Sequence, residues 1–226
     1  MSRMTFPGSD DTGVRKDSWR NSHSIWGAVA IWLVSVIAAM SYLAKFSTTP
    51  GSSSPTPSVW PSDSQIPFSR KKPMLILFAH PHCSCTRASL DEFELLVARC
   101  EGQFSAHVVF VRCAGMSKEW TKTELWRHAL TIPGVKIHVD EGGVEARRFG
   151  SLTSGQTVLY NQKRQLIFNG GITPSRGHSG DNPGFTAIID SLRHSTPARN
   201  NTAVFGCPLF DSEGSTQSGA TACKLK

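Results

Sequence analysis

Along residues 73–195, apolar positions recur with two different periods. Short runs that are apolar at nearly every position are typical of strands buried on both faces of a sheet, whereas apolar residues three or four positions apart are typical of amphipathic helices. The strand-like segments are 73–80, 106–113, 135–140 and the two arms of a hairpin at 157–171. The helix-like segments are 85–100, 118–132, 143–150 and 181–195. The pattern therefore predicts the order β-α-β-α-β-α-β-β-α.

This order predicts how the strands pair. Strands joined through a helix run parallel, because the crossover returns the chain to the same end of the sheet. The closing hairpin adds an antiparallel edge. We therefore expect an α/β domain with a mixed central sheet flanked by helices. In the helix predicted over 118–132, the spacing places Trp120, Leu125, Trp126 and Leu130 on the inward face.

Residues 24–44, SIWGAVAIWLVSVIAAMSYLA, contain no charged side chain. A helix rises about 1.5 Å per residue, so this segment spans roughly the 30 Å hydrocarbon layer of a bilayer. Trp26 and Tyr42 lie near its two ends, where amphipathic rings favour the membrane interface. A buried helix of a soluble protein rarely runs this long without a polar face. We therefore predict one transmembrane helix.

The basic residues that flank this helix predict its orientation. Arg15, Lys16 and Arg20 precede it, whereas only Lys45 directly follows it. The positive-inside rule then places the N-terminus in the cytoplasm and the rest of the chain outside, as a single-pass protein of the inner (plasma) membrane. A cleaved signal peptide is the alternative, but the apolar stretch is long for one and lacks a clear small-residue cleavage site.

Composition divides the rest of the chain. Residues 46–69 are rich in Ser, Thr and Pro, and such a segment has too few apolar residues to form a core of its own. Residues 195–226 are similar, apart from AVFGCPLF at 203–210. The predicted organisation is a cytoplasmic segment 1–23, a transmembrane helix 24–44, a flexible tether 45–70, a folded domain 71–195 and a C-terminal tail 196–226.

The charge of the chain does not indicate a nucleic-acid partner. The net charge is +7, but only 18% of the residues are charged. The basic residues are scattered along the sequence, without the basic helix face and interleaved aromatic residues that nucleic-acid binding would require. We therefore expect no binding to nucleic acid.

The candidate chemistry lies in the stretch HPHCSC, at the junction between the first predicted strand and the helix that follows it. Thiolates, not thiols, attack disulfides and bind metals. Unpaired backbone N–H groups and the positive end of the helix dipole gather at such a junction and lower the pKa of a thiol there. Cys83 is therefore the predicted nucleophile and Cys85 its partner, and a protonated His80 or His82 would lower the pKa of Cys83 further.

The same side chains could instead hold a metal ion. Two thiolates together with imidazoles suit copper(I) or zinc. His82, Cys83 and Cys85 could supply three ligands, with His80 or a distant cysteine as a fourth. Alternatively, Pro81 keeps the backbone extended between the two histidines, which then point to different sides of the strand end.

The remaining cysteines leave several pairings open. Cys207, in the stretch FGCPLF, is the best distant candidate for a resolving cysteine. Cysteines outside the cytoplasm tend to form disulfides. One interpretation is a Cys100–Cys113 bridge together with a Cys207–Cys223 bridge. The other is that Cys100 and Cys113 are small buried hydrophobic residues.

A cysteine motif directly after the first core strand of this element order resembles thioredoxin-like proteins, especially the membrane-anchored TlpA/ResA type. The segment 139–172 is similar to that family's acidic turn, short helix and hairpin, and the resemblance covers residues 73–194. The stretches HPHCSCTRASL and FGCPL also resemble a bacterial group labelled RedB. The resemblance implies a thioredoxin-like fold preceded by one membrane anchor.

Two departures from the family pattern bear on function. The family pair is Cys-x-x-Cys, whereas this chain has Cys-Ser-Cys at 83–85. The family also has a cis-proline that faces the cysteines and holds backbone for substrate pairing, and here Gly155 occupies that position, followed by Gln156. The resemblance implies that His82, Gly155 and Gln156 face the substrate. Without the proline, disulfide exchange is less favoured and a metal has more room.

Three functions follow from these residues. The first is a membrane-tethered extracytoplasmic thiol–disulfide oxidoreductase that requires no cofactor and acts on protein thiols or disulfides outside the cytoplasm. In it, Cys83 attacks and Cys85 resolves the mixed disulfide. The second is a copper-binding metallochaperone on the same fold, with Cys83, Cys85, His82 and His80 as candidate ligands for copper. The third is a redox-inert docking domain.

Overall fold

The computed structural model describes residues 15–194 and 200–210. The chain divides after Phe46 into two compact units, an N-terminal one whose described part is helical and a larger folded domain. Of the predicted cytoplasmic segment 1–23, residues 1–14 lie outside the described part of the chain.

The N-terminal helix, α1, spans Arg15–Thr48. Its part from Ser24 to Thr48 reaches a mean hydropathy of 2.0, and none of that apolar window is buried. The prediction of an apolar helix long enough to cross a membrane is confirmed, and the helix extends beyond 24–44 at both ends.

The domain is built on a five-stranded mixed sheet. The strands are β1 Met74–Ala79, β2 Ser105–Arg112, β3 Lys136–Glu141, β4 Gln156–Tyr160 and β5 Leu166–Gly171. They lie in the order β3-β2-β1-β4-β5. β2 pairs in parallel with β1 and with β3, whereas β4 runs antiparallel to β1 and to β5. The predicted fold class, an α/β domain with a mixed central sheet, is therefore confirmed.

The helices of the described domain flank this sheet, and they are α2 Cys85–Arg99, α3 Glu124–Thr131, α4 Val144–Arg148 and α5 Pro183–His194. The prediction of one helix over 118–132 is wrong, because a separate 3-10 helix, Lys118–Thr121, precedes α3. Thr123 interrupts the two: its backbone is extended, and its side chain caps α3 by accepting a backbone hydrogen bond. Trp120 is only half-buried and Leu130 is 62% exposed, so neither faces the core as predicted.

Both faces of the central strand β1 are covered, because all six of its side chains are buried and successive ones point to opposite faces of the sheet. Leu75, Leu77 and Ala79 join one hydrophobic cluster, together with residues of α2 and α5. The other three β1 side chains join a second cluster on the opposite face, and its largest members are Trp60, Phe78, Phe149 and Tyr160. This double burial fixes the C-terminal end of β1, from which the cysteine motif departs.

The segment predicted as a flexible tether packs against the domain instead. Trp60 is 4% exposed, and its ring lies 5.0 Å from that of Phe149 and 5.3 Å from that of Tyr160. Tyr160 Oη also donates a hydrogen bond to the carbonyl of Pro57 at 2.8 Å. A prediction from average composition does not register how much area single residues such as Trp60 and Ile66 bury.

Part of the predicted C-terminal tail also returns to the domain. We call residues 200–210 the C-terminal strap. Leu209 is fully buried, and its backbone N–H donates to the carbonyl of Leu152 at 2.8 Å. Next to this pair, Thr153 and Pro208 form an antiparallel bridge. Backbone pairing of this kind joins segments that are far apart in sequence, so the strap is part of the domain.

Candidate functional site

Cys83 occupies the turn between β1 and α2. Its backbone N–H donates to the carbonyl of His80 at 3.2 Å, and its own carbonyl accepts from the N–H of Thr86 at 3.0 Å. Ser84 already has helical backbone angles, and Cys85 is the first residue of α2. The two cysteines of the motif therefore lie at the start of a helix, where unpaired N–H groups are available.

Three sulfur atoms converge at this turn. The Sγ atoms of Cys83 and Cys207 lie 2.7 Å apart, although these residues are 124 positions apart in the chain. Cys85 completes a group in which all three Sγ atoms lie within 4.8 Å of one another. Cys83 is 3% exposed, whereas Cys85 and Cys207 are half-buried. The strap thus covers Cys83 and presents a second thiol to it.

The contact with Cys207 is the main reason that the pKa of Cys83 is lowered to about 5. The hydrogen bond between the Sγ atoms of Cys83 and Cys207 stabilises the thiolate form of Cys83, and this outweighs the opposing effect of burial. The Cys207 backbone, the Thr86 hydroxyl and the Cys85 N–H contribute further to the lowering. The same shared proton raises the pKa of Cys207, and burial followed by the Cys83 charge raises the pKa of Cys85. The negative charge therefore lies on Cys83 at neutral pH.

Backbone hydrogen bonds and one arginine hold the strap in place. Ser154 N–H donates to the carbonyl of Cys207 at 2.9 Å. Arg176, in the loop before α5, donates to the carbonyl of Gly206 and, through Nε, to that of Thr49 at 3.2 Å. A side chain at Gly206 has no room, because a Cβ there would lie 1.8 Å from the carbonyl oxygen of Ser154. These contacts hold the backbone of the strap at Gly206 and Cys207.

The two histidines of the motif bond to other groups. The Nδ1 atom of His80 accepts a hydrogen bond from the His82 N–H at 3.2 Å. His82 Nε2 lies 2.9 Å from the carbonyl oxygen of Trp120, and the two rings are 4.6 Å apart. Burial lowers the pKa of His80, so at neutral pH this residue does not supply the predicted positive charge. Among the described residues, the group able to hold a metal contains the three cysteines and neither histidine, which corrects the predicted ligand set.

Gly155 and Gln156 differ in their surroundings. Gly155 has a φ of +94°, which favours glycine, and a Cβ there would lie 2.7 Å from Ser89 Oγ. Its N–H donates to the carbonyl of Phe78 at 2.8 Å, and no peptide bond in the described chain is cis. Gln156 is fully buried, and its Nε2 donates to Asn169 Oδ1 at 2.9 Å. Gln156 therefore does not face a substrate, which corrects the expectation that the resemblance implied.

Ser154 is a site residue that sequence reasoning missed. Its Oγ accepts a hydrogen bond from the backbone N–H of His80 at 2.8 Å and lies 2.8 Å from Thr86 Oγ1. Thr86 is in turn one of the groups that lower the pKa of Cys83. A serine in a polar loop belongs to no motif, and only the pairing of β4 with β1 brings this loop to the cysteines.

The other cysteines do not form the predicted bridges. Cys100 is a free, buried thiol, whereas Cys113 is disulfide-bonded. A Cys100–Cys113 bridge is therefore wrong. The other interpretation is correct for Cys100, which is a small buried residue, and wrong for Cys113, which is disulfide-bonded. Cys207 is also a free thiol, so the Cys207–Cys223 bridge is wrong too, and Cys223 lies outside the described residues.

Comparisons with known proteins were made for the sequence and for the structure. No protein-family model and no curated protein sequence matches the chain. A hypothetical protein from Sinorhizobium meliloti 1021 has a similar structure, with a TM-score of 0.51 at 16% identity over 74% of this chain and 97% of that one. An uncharacterized conserved protein from Geobacillus kaustophilus has a TM-score of 0.50 at 16% identity over 75% and 96%. The pneumococcal exposed lipoprotein thioredoxin Etrx1 from Streptococcus pneumoniae strain TIGR4 has a TM-score of 0.40 at 17% identity over 55% and 85%.

At these identities, structural similarity bears on the fold alone. The sheet has the thioredoxin arrangement: a central strand, a helix, a parallel neighbour, and then an antiparallel hairpin followed by the last helix. The additional unit α3–β3 extends the sheet beyond β2. The domain therefore has a thioredoxin-like fold, and the predicted resemblance to thioredoxin-like proteins is confirmed at that level.

Proposed function

We propose that this chain is a membrane-tethered thiol–disulfide oxidoreductase whose domain lies outside the cytoplasm and whose attacking group is the Cys83 thiolate. The observation that carries the proposal is the group of three sulfur atoms at the start of α2, in which the pKa of Cys83 is lowered. A thiolate can attack a disulfide to form a mixed disulfide, and a further thiol beside it can then resolve that mixed disulfide.

The reaction transfers two electrons from a dithiol to a disulfide. The Cys83 thiolate attacks one sulfur of a partner's disulfide, a Cys83–partner bond forms, and the partner's other sulfur leaves as a thiolate. A second cysteine of this chain then attacks Cys83 Sγ, which releases the partner as a dithiol once solvent supplies the protons. Cys85 and Cys207 both lie within reach of Cys83. The reverse sequence oxidises a partner dithiol.

The apolar helix and a disulfide support a location of the domain outside the cytoplasm. More basic residues precede the apolar part of α1 than follow it, which favours an N-terminus in the cytoplasm and a domain outside it. The disulfide at Cys113 supports an oxidising compartment, because disulfides persist there. The partners we propose are protein thiols or disulfides outside the cytoplasm.

Redox titration of the full chain in detergent tests this proposal. The protein is equilibrated with mixtures of reduced and oxidised glutathione, and the state of each cysteine is read by alkylation and mass spectrometry. We expect Cys83 to pass from thiol to disulfide within the glutathione range, and Cys83→Ser to abolish exchange. Cys100→Ser is the matched control, because Cys100 is free and buried outside the sulfur group. A Cys83 that stays a thiol throughout would favour the redox-inert docking domain.

The same sulfur group favours one second function, a copper(I) carrier. Three cysteine sulfur atoms within 4.8 Å of one another offer a soft, three-coordinate ligand set of the kind that copper(I) prefers. Cys83, Cys85 and Cys207 would hold the ion. Anaerobic competition with a chromogenic copper(I) chelator should then show one ion bound per chain, lost in Cys207→Ser and unchanged in His82→Ala. Failure to compete with the chelator at any copper concentration would remove this function.

A further inference from the structure

The strap lies against Cys83, and a motif made of Cys83 and Cys85 alone does not explain why. Cys83 is 3% exposed, and the segment that covers it carries its own cysteine. A partner's disulfide cannot reach Cys83 Sγ while the strap is in place. The strap and the partner therefore compete for the same position beside Cys83.

We propose that Cys83 and Cys207, rather than Cys83 and Cys85, form the dithiol–disulfide couple of this domain, and that the strap is a built-in partner segment whose return expels the external partner. The inference rests on the proposed function, because it names the second cysteine and the regulation of that same site. It gives residues 200–210 a catalytic role and makes access to Cys83 depend on the strap.

The local geometry disfavours a bond between the two motif cysteines. Ser84 has φ and ψ of −59° and −31°, and α2 begins at Cys85. Cys83 precedes the helix and Cys85 is its first residue, so a bond between them would close a small ring around the helical backbone of Ser84. A disulfide needs a near-perpendicular torsion, which so small a ring meets only with strain. Cys207 approaches from a separate segment, and its Sγ already lies 2.7 Å from that of Cys83.

The way the strap is held explains how it can act as a partner segment. Its hydrogen bonds to Leu152 and Ser154 run backbone to backbone, on either side of the Thr153–Pro208 bridge. Such pairing depends little on side chains, so an extended segment of another protein can make the same bonds once the strap has left. Arg176 adds a side-chain contact to the carbonyl of Gly206, which favours the strap over a competitor.

The proposed cycle then has a defined order. In the reduced protein the strap is held without a covalent bond and can leave, which uncovers Cys83. The Thr86 hydroxyl and the Cys85 N–H, which do not belong to the strap, still stabilise the Cys83 thiolate as it attacks the partner's disulfide. In the resulting mixed disulfide the strap can return and place Cys207 beside Cys83 again. Cys207 then loses its proton to the partner thiolate released first, attacks Cys83 Sγ, and forms the Cys83–Cys207 disulfide. The partner leaves as a dithiol. It has gained two electrons from Cys83 and Cys207, one proton from Cys207 and one proton from solvent.

Peptide mapping of the full chain after reaction with oxidised glutathione tests the inference. We expect a Cys83–Cys207 disulfide in the wild type and in Cys85→Ser, and a lasting Cys83–glutathione adduct in Cys207→Ser. A Cys83–Cys85 disulfide with Cys207 still a thiol would overturn the inference and leave the proposed function standing. A Cys83 thiol that does not react in any variant would instead overturn the proposed function itself, and the couple with it.

A strap variant separates the position of Cys207 from its chemistry. Gly206→Val keeps all cysteines but places a side chain against the Ser154 carbonyl, so the strap should detach and the effective concentration of Cys207 at Cys83 should fall. We expect the glutathione adduct on Cys83 to last at least about tenfold longer than in the wild type. An unchanged lifetime, with a native circular dichroism spectrum, would overturn the role of the strap.

Discussion

At neutral pH the reduced protein is expected to carry a thiolate on Cys83, and Cys207→Ala is expected to protonate most of it. The Cys207 side chain is the largest cause that lowers the pKa of Cys83 from its ordinary value of 9.0 to about 5. A lowered pKa means that the thiolate is present above that value and is lost as the pH falls through it. Without the donor, burial becomes the dominant remaining influence and raises the pKa of Cys83.

The ultraviolet absorbance of the thiolate, followed in an anaerobic pH titration of the reduced full chain, measures this. The wild type should lose a thiolate near pH 5, and Cys207→Ala should show that transition at much higher pH. Cys207→Ser is the matched control, because its hydroxyl can still donate and should give a smaller shift. A transition near pH 5 that persists in Cys207→Ala would show that the helix N-terminus, not the strap, sets the charge on Cys83.

The second large effect concerns stability. Trp60→Ala is expected to lower the free energy of unfolding of the domain by about 3–5 kcal/mol, because truncating a buried tryptophan loses its transfer free energy and leaves a cavity. The Trp60 ring packs against Phe68, Phe149 and Tyr160, so its removal also exposes part of the second hydrophobic cluster.

Urea unfolding of the full chain in detergent, followed by circular dichroism, measures this difference. Val59→Ala is the control one residue away, because Val59 is 55% exposed and its truncation should change stability by no more than about 0.5 kcal/mol. Equal stabilities of the two variants would mean that residues 45–70 form a loose tether, as their composition suggests, and not a packed segment.

Features encoded by local pattern could be predicted well. The strand β1, the hairpin β4–β5 and the helix α5 follow from apolar periodicity and turn residues. Asn182 is of a residue type that favours helix N-termini, and it accepts a hydrogen bond from the N–H of Phe185 at 2.8 Å at the start of α5. Each of these depends on residues within a few positions of one another, and such interactions leave a trace in the sequence.

Some features depend on a single residue whose effect differs from the average pattern or composition of its segment. These features could not be predicted. Thr123 divides the helix expected over 118–132, because the energy of one cap and an extended residue outweighs a continuous apolar pattern. Trp60 anchors a segment whose composition predicts flexibility. Gln156 matches a family position but turns its amide toward Asn169, since the sheet buries it.

The sequence by itself determined the apolar helix, the order of strands and helices, and the position of Cys83 at the start of α2. Only the tertiary structure decided which thiol lies beside Cys83 and that the histidines lie outside the sulfur group. The reason is physical: the contact between Cys83 and Cys207 spans 124 positions and is held by backbone hydrogen bonds of Ser154 and Leu209. Backbone groups are the same in every residue except proline, so their pairing leaves no pattern in the sequence.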